Sequence, residues 1–177
     1  MVKQFMGVRI EKKPLIFRNE NRVSFDTMIF IDLILTEDIK LKLLSDWKNN
    51  AKNTKFFISE KVIKETTGVL INKNFSPYYG DPTAVKEAIN KIIKELSIKK
   101  LNYDKKIDNK SGYQLFCEYE ERYPEECHIQ DARIVAHLRR EQINVVYSIE
   151  KRFRRLAQIA EIEARKSIMD KFDQISQ

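Results

Sequence analysis

Three short β-prone runs, RVSFD (22–26), KFFIS (55–59) and INVVYSI (143–149), are held apart by long segments with helical periodicity. Strands so separated pair in parallel, because a parallel crossover needs a dozen or so residues and a helix supplies them. Helices then cover both faces of the sheet. The expectation is an α/β fold: one three-layer α/β/α domain with a mainly parallel central sheet. Gly and Pro number four each, too few for a sandwich full of turns. A chain of 177 residues suits one domain with one core.

Between the strands, Thr36 reads as an N-cap, with Glu37 and Asp38 in the first turn and Ile39, Leu43, Leu44 and Trp47 on one face. Ser59 caps a helix over 60–72 that carries Val62, Val69 and Leu70. NFSPYYGDP (74–82) is a loop, and Asp81 with Pro82 opens a helix bearing Val85, Ile89, Ile92, Ile93 and Leu96. Residues 98–103 read as a short strand, and the Lys-, Asp- and Asn-rich stretch up to Gly112 as an exposed loop. Helices are expected near 112–122 and 128–142. From 150 to 176 the pattern is that of one long C-terminal helix, with Phe153, Leu156, Ile159, Ala160 and Met169 toward the core. VRIEKKPLIF (8–17) reads as a hairpin or edge strand interrupted by Pro14.

Lys and Arg total 33 against 26 Asp and Glu, a net +7. That balance suits a polyanionic partner such as nucleic acid, and it equally serves solubility. Cys117 and Cys127 match no zinc-binding spacing and read as reduced thiols. No apolar run reaches the roughly 18 residues of a membrane span, and the N-terminus has no signal-peptide core. The expectation is a soluble, cytoplasmic chain with no membrane partner.

The informative residues are acids where burial should exclude them. Asp26 ends one strand and Glu150 another, and ligands of open α/β sheets bind beyond the carboxyl ends of strands. Glu65 lies three residues after Val62 and four before Val69, on the apolar side of its helix. Asp131 precedes Ile134, Val135 and Leu138 on the stripe that should face the sheet. Taken singly, each has an ordinary explanation: a turn residue at Asp26, an ion pair at Glu65, a helix-start acid at Asp131 and Glu150. Taken together, clustered carboxylates need compensation, and a hard cation such as Mg²⁺ or Mn²⁺ supplies it.

At these residues the sequence resembles the PIN-domain family of metal-dependent ribonucleases. VSFDTMIFIDLIL is similar to the family's first strand, with Asp26-Thr27 as its Asp-Thr/Ser signature. SEKVIKETTGVL is similar to the helix that delivers a glutamate, here Glu65, and IQDARIVAHLRRE to the helix opening with the third acid, Asp131. INVVYSIEKRF is similar to the strand ending in a hydroxyl residue, a spacer, the fourth acid and a Phe: Ser148, Ile149, Glu150 and Phe153. Residues 22–155 form the recognisable core, 1–21 an N-terminal extension, 72–125 a divergent Lys-rich insertion and 156–177 a C-terminal helix. Three features depart from the family: Glu150 stands where Asp is usual, 72–125 has no match, and the usual last strand is replaced by a long helix. The 8–17 segment is a candidate to fill that sheet edge.

The resemblance implies a Mg²⁺- or Mn²⁺-dependent nuclease acting on RNA, often a toxin held by an antitoxin-like protein and often a homodimer. Asp26, Glu65, Asp131 and Glu150 would be both catalytic residues and metal ligands, with Thr27 and Ser148 orienting them. Lys151, Arg152, Arg154 and Arg155 are candidates for nucleic-acid contacts, against the plainer reading of a solvated helix face. The alternative function is a catalytically decayed nucleic-acid-binding or scaffold module, kept open by Glu150. A phosphatase of the haloacid-dehalogenase type is set aside, because its second Asp would fall at Met28. His128 and Asp32 are placed near the site but read as structural, His137 as a surface residue, and Trp47, Tyr78 and Tyr79 as core or loop packing rather than base-stacking groups.

Overall fold

The computed structural model describes residues 21–36, 41, 45 and 53–166. Its elements are β1 (Asn21–Phe25), α1 (Thr27–Leu35), β2 (Thr54–Ser59), α2 (Glu60–Asn72), α3 (Pro82–Glu95), β3 (Lys99–Leu101), α4 (Lys105–Arg122), α5 (Ile129–Arg140), β4 (Val145–Tyr147), α6 (Lys151–Ile159) and β5 (Glu163–Arg165). The sheet has five strands in the order β3-β2-β1-β4-β5, and every neighbouring pair is parallel. β1 leads outward to β2 and β3 on one side, and the chain then returns to place β4 and β5 on the other. With right-handed crossovers that reversal sends α1, α2 and α3 to one face and α4, α5 and α6 to the opposite face. The helix contacts agree: α1, α2 and α3 pack on each other, as do α4, α5 and α6. The α/β/α expectation therefore holds.

Caps set the helix starts. Ser59 accepts from Lys61 N at 3.2 Å, and Asp81 from Ala84 N at 2.9 Å with Pro82 in the first turn. Both helices run as the sequence indicates. β1 ends at Phe25 because Asp26 caps α1, accepting from Ile29 N at 2.8 Å. The apolar stretch after Asp26 is thus a helix rather than more strand, with Ile29, Phe30, Ile31, Leu33 and Ile34 all buried. Across the sheet, the Phe25 ring lies 5.7 Å from Phe56 and 6.3 Å from Tyr147. Each such buried aromatic contributes roughly 1.5–3 kcal/mol.

Several expectations need correcting. The stretch before Gly112 is not a loop. Asp104 accepts from Lys106 N at 2.9 Å and Ile107 N at 3.0 Å, so α4 begins at Lys105. Residues 72–125 supply α3, β3 and α4 to the packed domain. Gly112 is where α4 meets α5: a Cβ there would lie 2.6 Å from Arg133 Cα. Thr36 closes α1, its N–H donating to Asp32 O at 3.0 Å. The helix expected after it falls largely outside the described residues, as do Trp47 and the 8–17 segment. The long C-terminal helix ends at Ile159; Glu161 takes φ 61°, and β5 follows, paired parallel with β4. The last strand is therefore present, and the sequence hid it in three residues of mixed polarity, Glu163–Arg165. No helix among the described residues is long and apolar enough to cross a membrane.

Candidate active site

The strand order reverses between β1 and β4, so the loops leaving their carboxyl ends diverge and open a crevice. Asp26 stands at the end of β1 and Ser148 and Glu150 just past β4. The two chain segments are tied there, the Asp26 N–H donating to Tyr147 O at 3.0 Å. Asp26 is 4% exposed. Besides capping α1, its carboxyl has the wholly buried Ser148 beside it. Burial outweighs those hydrogen bonds, and with the Glu150 charge adding to it the Asp26 pKa is pushed up to about 6.

Asp131 enters from the first turn of α5 and is half-buried. Its pKa is also raised to about 6, first by burial, then by Glu150, with Glu65 and Asp26 contributing and His128 opposing. Glu65, on α2, accepts from Thr27 Oγ1 at 2.8 Å. Glu150 is exposed at the N-cap position of α6, yet its carboxylate makes no cap hydrogen bond; its N–H donates to Ser148 Oγ at 3.1 Å. The structure thus brings the four acids into one electrostatic neighbourhood. No Lys or Arg forms a salt bridge with Asp26 or Asp131 among the described residues.

The donor chemistry fits a hard dication: oxygen ligands only, two of them with pKa values raised to about 6 by burial first and by the neighbouring acids second. The spacing is open. Among the described residues no three His, Cys, Asp or Glu side chains stand close enough to hold a metal ion as they are.

The basic residues after Glu150 are tethered. Lys151 Nζ and Arg155 Nη1 reach the Glu125 carboxylate at 3.3 and 2.6 Å. Arg152 Nη1 donates to Glu126 O at 3.1 Å, and Arg154 Nη1 to the Ser148 and Ile149 carbonyls at 3.0 and 2.7 Å. Arg154 therefore braces the loop that carries Glu150.

Of the other residues, His128 lies at the N-cap of α5 without a side-chain cap bond, and Tyr79 is exposed while Tyr78 packs partly against the core. His137 is a correction: it is wholly buried, with Nδ1 3.0 Å from Ser59 Oγ and its ring edge-on to Tyr103 at 5.3 Å. Its place one turn before the end of an amphipathic helix suggested solvent, but this end of α5 is covered by β2 and the start of α4. Sequence reasoning passed over Lys61. Its Nζ bonds Gln130 and sits 5.0 Å over the Tyr103 ring, near both Glu65 and Asp131. Its spacing of four from Glu65 was the available signal.

No family model matches the sequence, and no curated protein matches it. Solved structures do. A chain of VapBC2 from Rickettsia felis, bound to a DNA fragment from its promoter, superposes with TM-score 0.61 at 14% identity, over 81% of this chain and 97% of that one. VapBC-1 from nontypeable Haemophilus influenzae gives 0.58 at 12%, over 81% and 96%. VapC20 from Mycobacterium tuberculosis, a sarcin-ricin loop cleaving toxin, gives 0.50 at 15%, over 74% and 92%. The fold of this chain is the PIN-domain fold of the VapC-type toxins. At these identities the likeness concerns architecture.

Proposed function

We propose that the chain is a Mg²⁺- or Mn²⁺-dependent nuclease that hydrolyses phosphodiester bonds in RNA. The observation that carries this reading is the pair Asp26 and Asp131: two carboxyl groups drawn in from separate elements, one buried and one half-buried, neither in a salt bridge with Lys or Arg among the described residues, each raised to about 6. Such an arrangement opposes folding unless a ligand repays it. Asp26, Glu65, Asp131 and Glu150 would hold the ion. When bound, Mg²⁺ or Mn²⁺ supplies Lewis acidity toward water and the scissile phosphate. Thr27 fixes the Glu65 carboxylate through its 2.8 Å hydrogen bond, and Ser148 orients Asp26 while fastening the Glu150 backbone. The fold neighbours, two of them VapBC pairs and one a toxin that cleaves the sarcin-ricin loop, support RNA as substrate and an antitoxin-like protein as partner, with a homodimer as the assembly to test.

The competing reading is a nucleic-acid-binding or scaffold module without catalysis. The open spacing of the acids among the described residues favours it. Cleavage of single-stranded RNA with and without Mn²⁺, in the wild type and in Asp131→Asn, separates the two. The nuclease reading expects Mn²⁺-dependent cleavage abolished by the substitution, and cleavage indifferent to the substitution removes it.

A further inference from the structure

A cleft of about 520 Å³ opens beside the acids, lined by Glu125, Glu126, Glu150, Lys151 and Arg152. One wall is the site acid Glu150 and the start of α6; the other is the α4–α5 loop. That loop lies on the basic side chains of α6. The Glu125 carboxylate bridges Lys151 and Arg155, Arg152 holds the Glu126 carbonyl, and the Arg155 guanidinium lies 4.6 Å over the Tyr123 ring. An acid that accepts from two cations at the mouth of a cleft presents them with the same chemistry as a phosphodiester: a delocalised anion with two terminal oxygens. Glu125 is itself solvent-accessible, so a competing anion can displace it without opening the core. Exposed ion pairs of this kind are weak enough for exchange.

Resting on the nuclease reading, we infer that Glu125 occupies the seat of a backbone phosphate of the RNA strand, and that Lys151 and Arg155 take that phosphate when Glu125 swings away. The seat adjoins Glu150, so a strand held there runs past the acids. The α4–α5 loop then competes with substrate, and RNA affinity is set partly by an internal anion.

The test is affinity for a short single-stranded RNA in an Asp131→Asn background, which keeps the strand intact, measured across a salt series. Glu125→Gln should tighten binding about threefold to tenfold. It should also steepen the fall of log affinity with log salt by roughly 0.7, the increment for one more phosphate contact on a single strand. Lys151→Gln added to Glu125→Gln should reverse both changes. Glu118→Gln, which removes an equally exposed acid paired with Arg122 on α4, is the control and should change neither. Equal gains from Glu118→Gln and Glu125→Gln would mean a net-charge effect and overturn the inference. So would unchanged affinity and slope in Glu125→Gln, provided that Asp131-intact protein cuts RNA; the nuclease reading then stands alone. Absence of both binding and cleavage in every chain overturns the two together.

Discussion

Asp108 and Asp26 are both buried aspartates, and their surroundings differ in one respect. Asp108, wholly buried on α4, accepts from Arg140 Nε at 2.8 Å and Nη2 at 3.1 Å, and its Oδ2 accepts the Asp104 N–H at 2.8 Å. Its neighbour His137 is buried against Ser59 and Tyr103. Asp26, 4% exposed, has hydrogen bonds but no salt bridge among the described residues, and half-buried Asp131 beside it has none either, with Lys61 and His128 nearby but not paired to it. The first cluster is neutralised by the chain itself and joins α4 to α5. On the nuclease reading, the second would be neutralised by a bound cation. A buried acid with its own guanidinium explains stability, whereas a pair without one asks for a ligand.

The comparison breaks first at activity. Asp131→Asn should lower RNA cleavage by at least ~100-fold, the scale at which a site loses one electrostatic stabiliser. The same substitution should raise stability at pH 8 by on the order of 1 kcal/mol, because it removes an ionised carboxylate that the fold disfavours. Arg140→Met should do the reverse. It leaves the Asp108 carboxylate uncompensated, costs about 3–5 kcal/mol in urea unfolding, and leaves any folded fraction with its acids in place. Equal stability losses from the two substitutions would erase the distinction between the clusters. Thr27→Val, which frees Glu65, should reduce Mn²⁺ affinity by about 10- to 100-fold with little change in melting temperature.

The smallest effect is the pH profile of stability, in which the clusters act with opposite signs. Asp26 and Asp131 are raised from 3.8 to about 6 in the folded chain. As pH rises from about 4 to 6 the unfolded chain releases those protons first, so stability falls across that window and stays lower above it. His137 is lowered by burial, so its contribution is present above its ordinary value of 6.5 and is lost as pH falls below it. Thermal melts from pH 8 to 5 should therefore decline more steeply in Asp131→Asn than in the wild type, because the compensating uptake by Asp131 is gone.

Much of the layout was legible because local rules and the global fold agree. Ser59, Asp81 and Pro82 mark helix starts by side-chain chemistry that needs no partner, and INVVYSI is rich in β-branched and aromatic residues, though only Val145–Tyr147 of it pairs as strand. Of the four acids read as misfits of polarity, Asp26 is buried, Glu65 and Asp131 are half-buried and Glu150 is exposed. What stayed hidden depends on contacts distant in sequence. α4 starts at its Asp104 cap, but its polar first turn is held in the packed domain by Asp108 meeting Arg140 across 32 residues. β5 is three residues whose strand character comes from β4 beside it. His137 is buried by elements that its own helix pattern does not reveal, and the grip of Glu125 on α6 requires a loop whose path no periodicity encodes.

Titration of the chain with Mn²⁺ by calorimetry at pH 6, repeated in two buffers of different ionisation heat, addresses the central contrast directly. Saturable binding accompanied by release of protons, lost in Asp131→Asn and retained in Arg155→Gln, is the expected result. A wild-type chain that takes up no Mn²⁺, or takes it up unchanged after Asp131→Asn, contradicts the account.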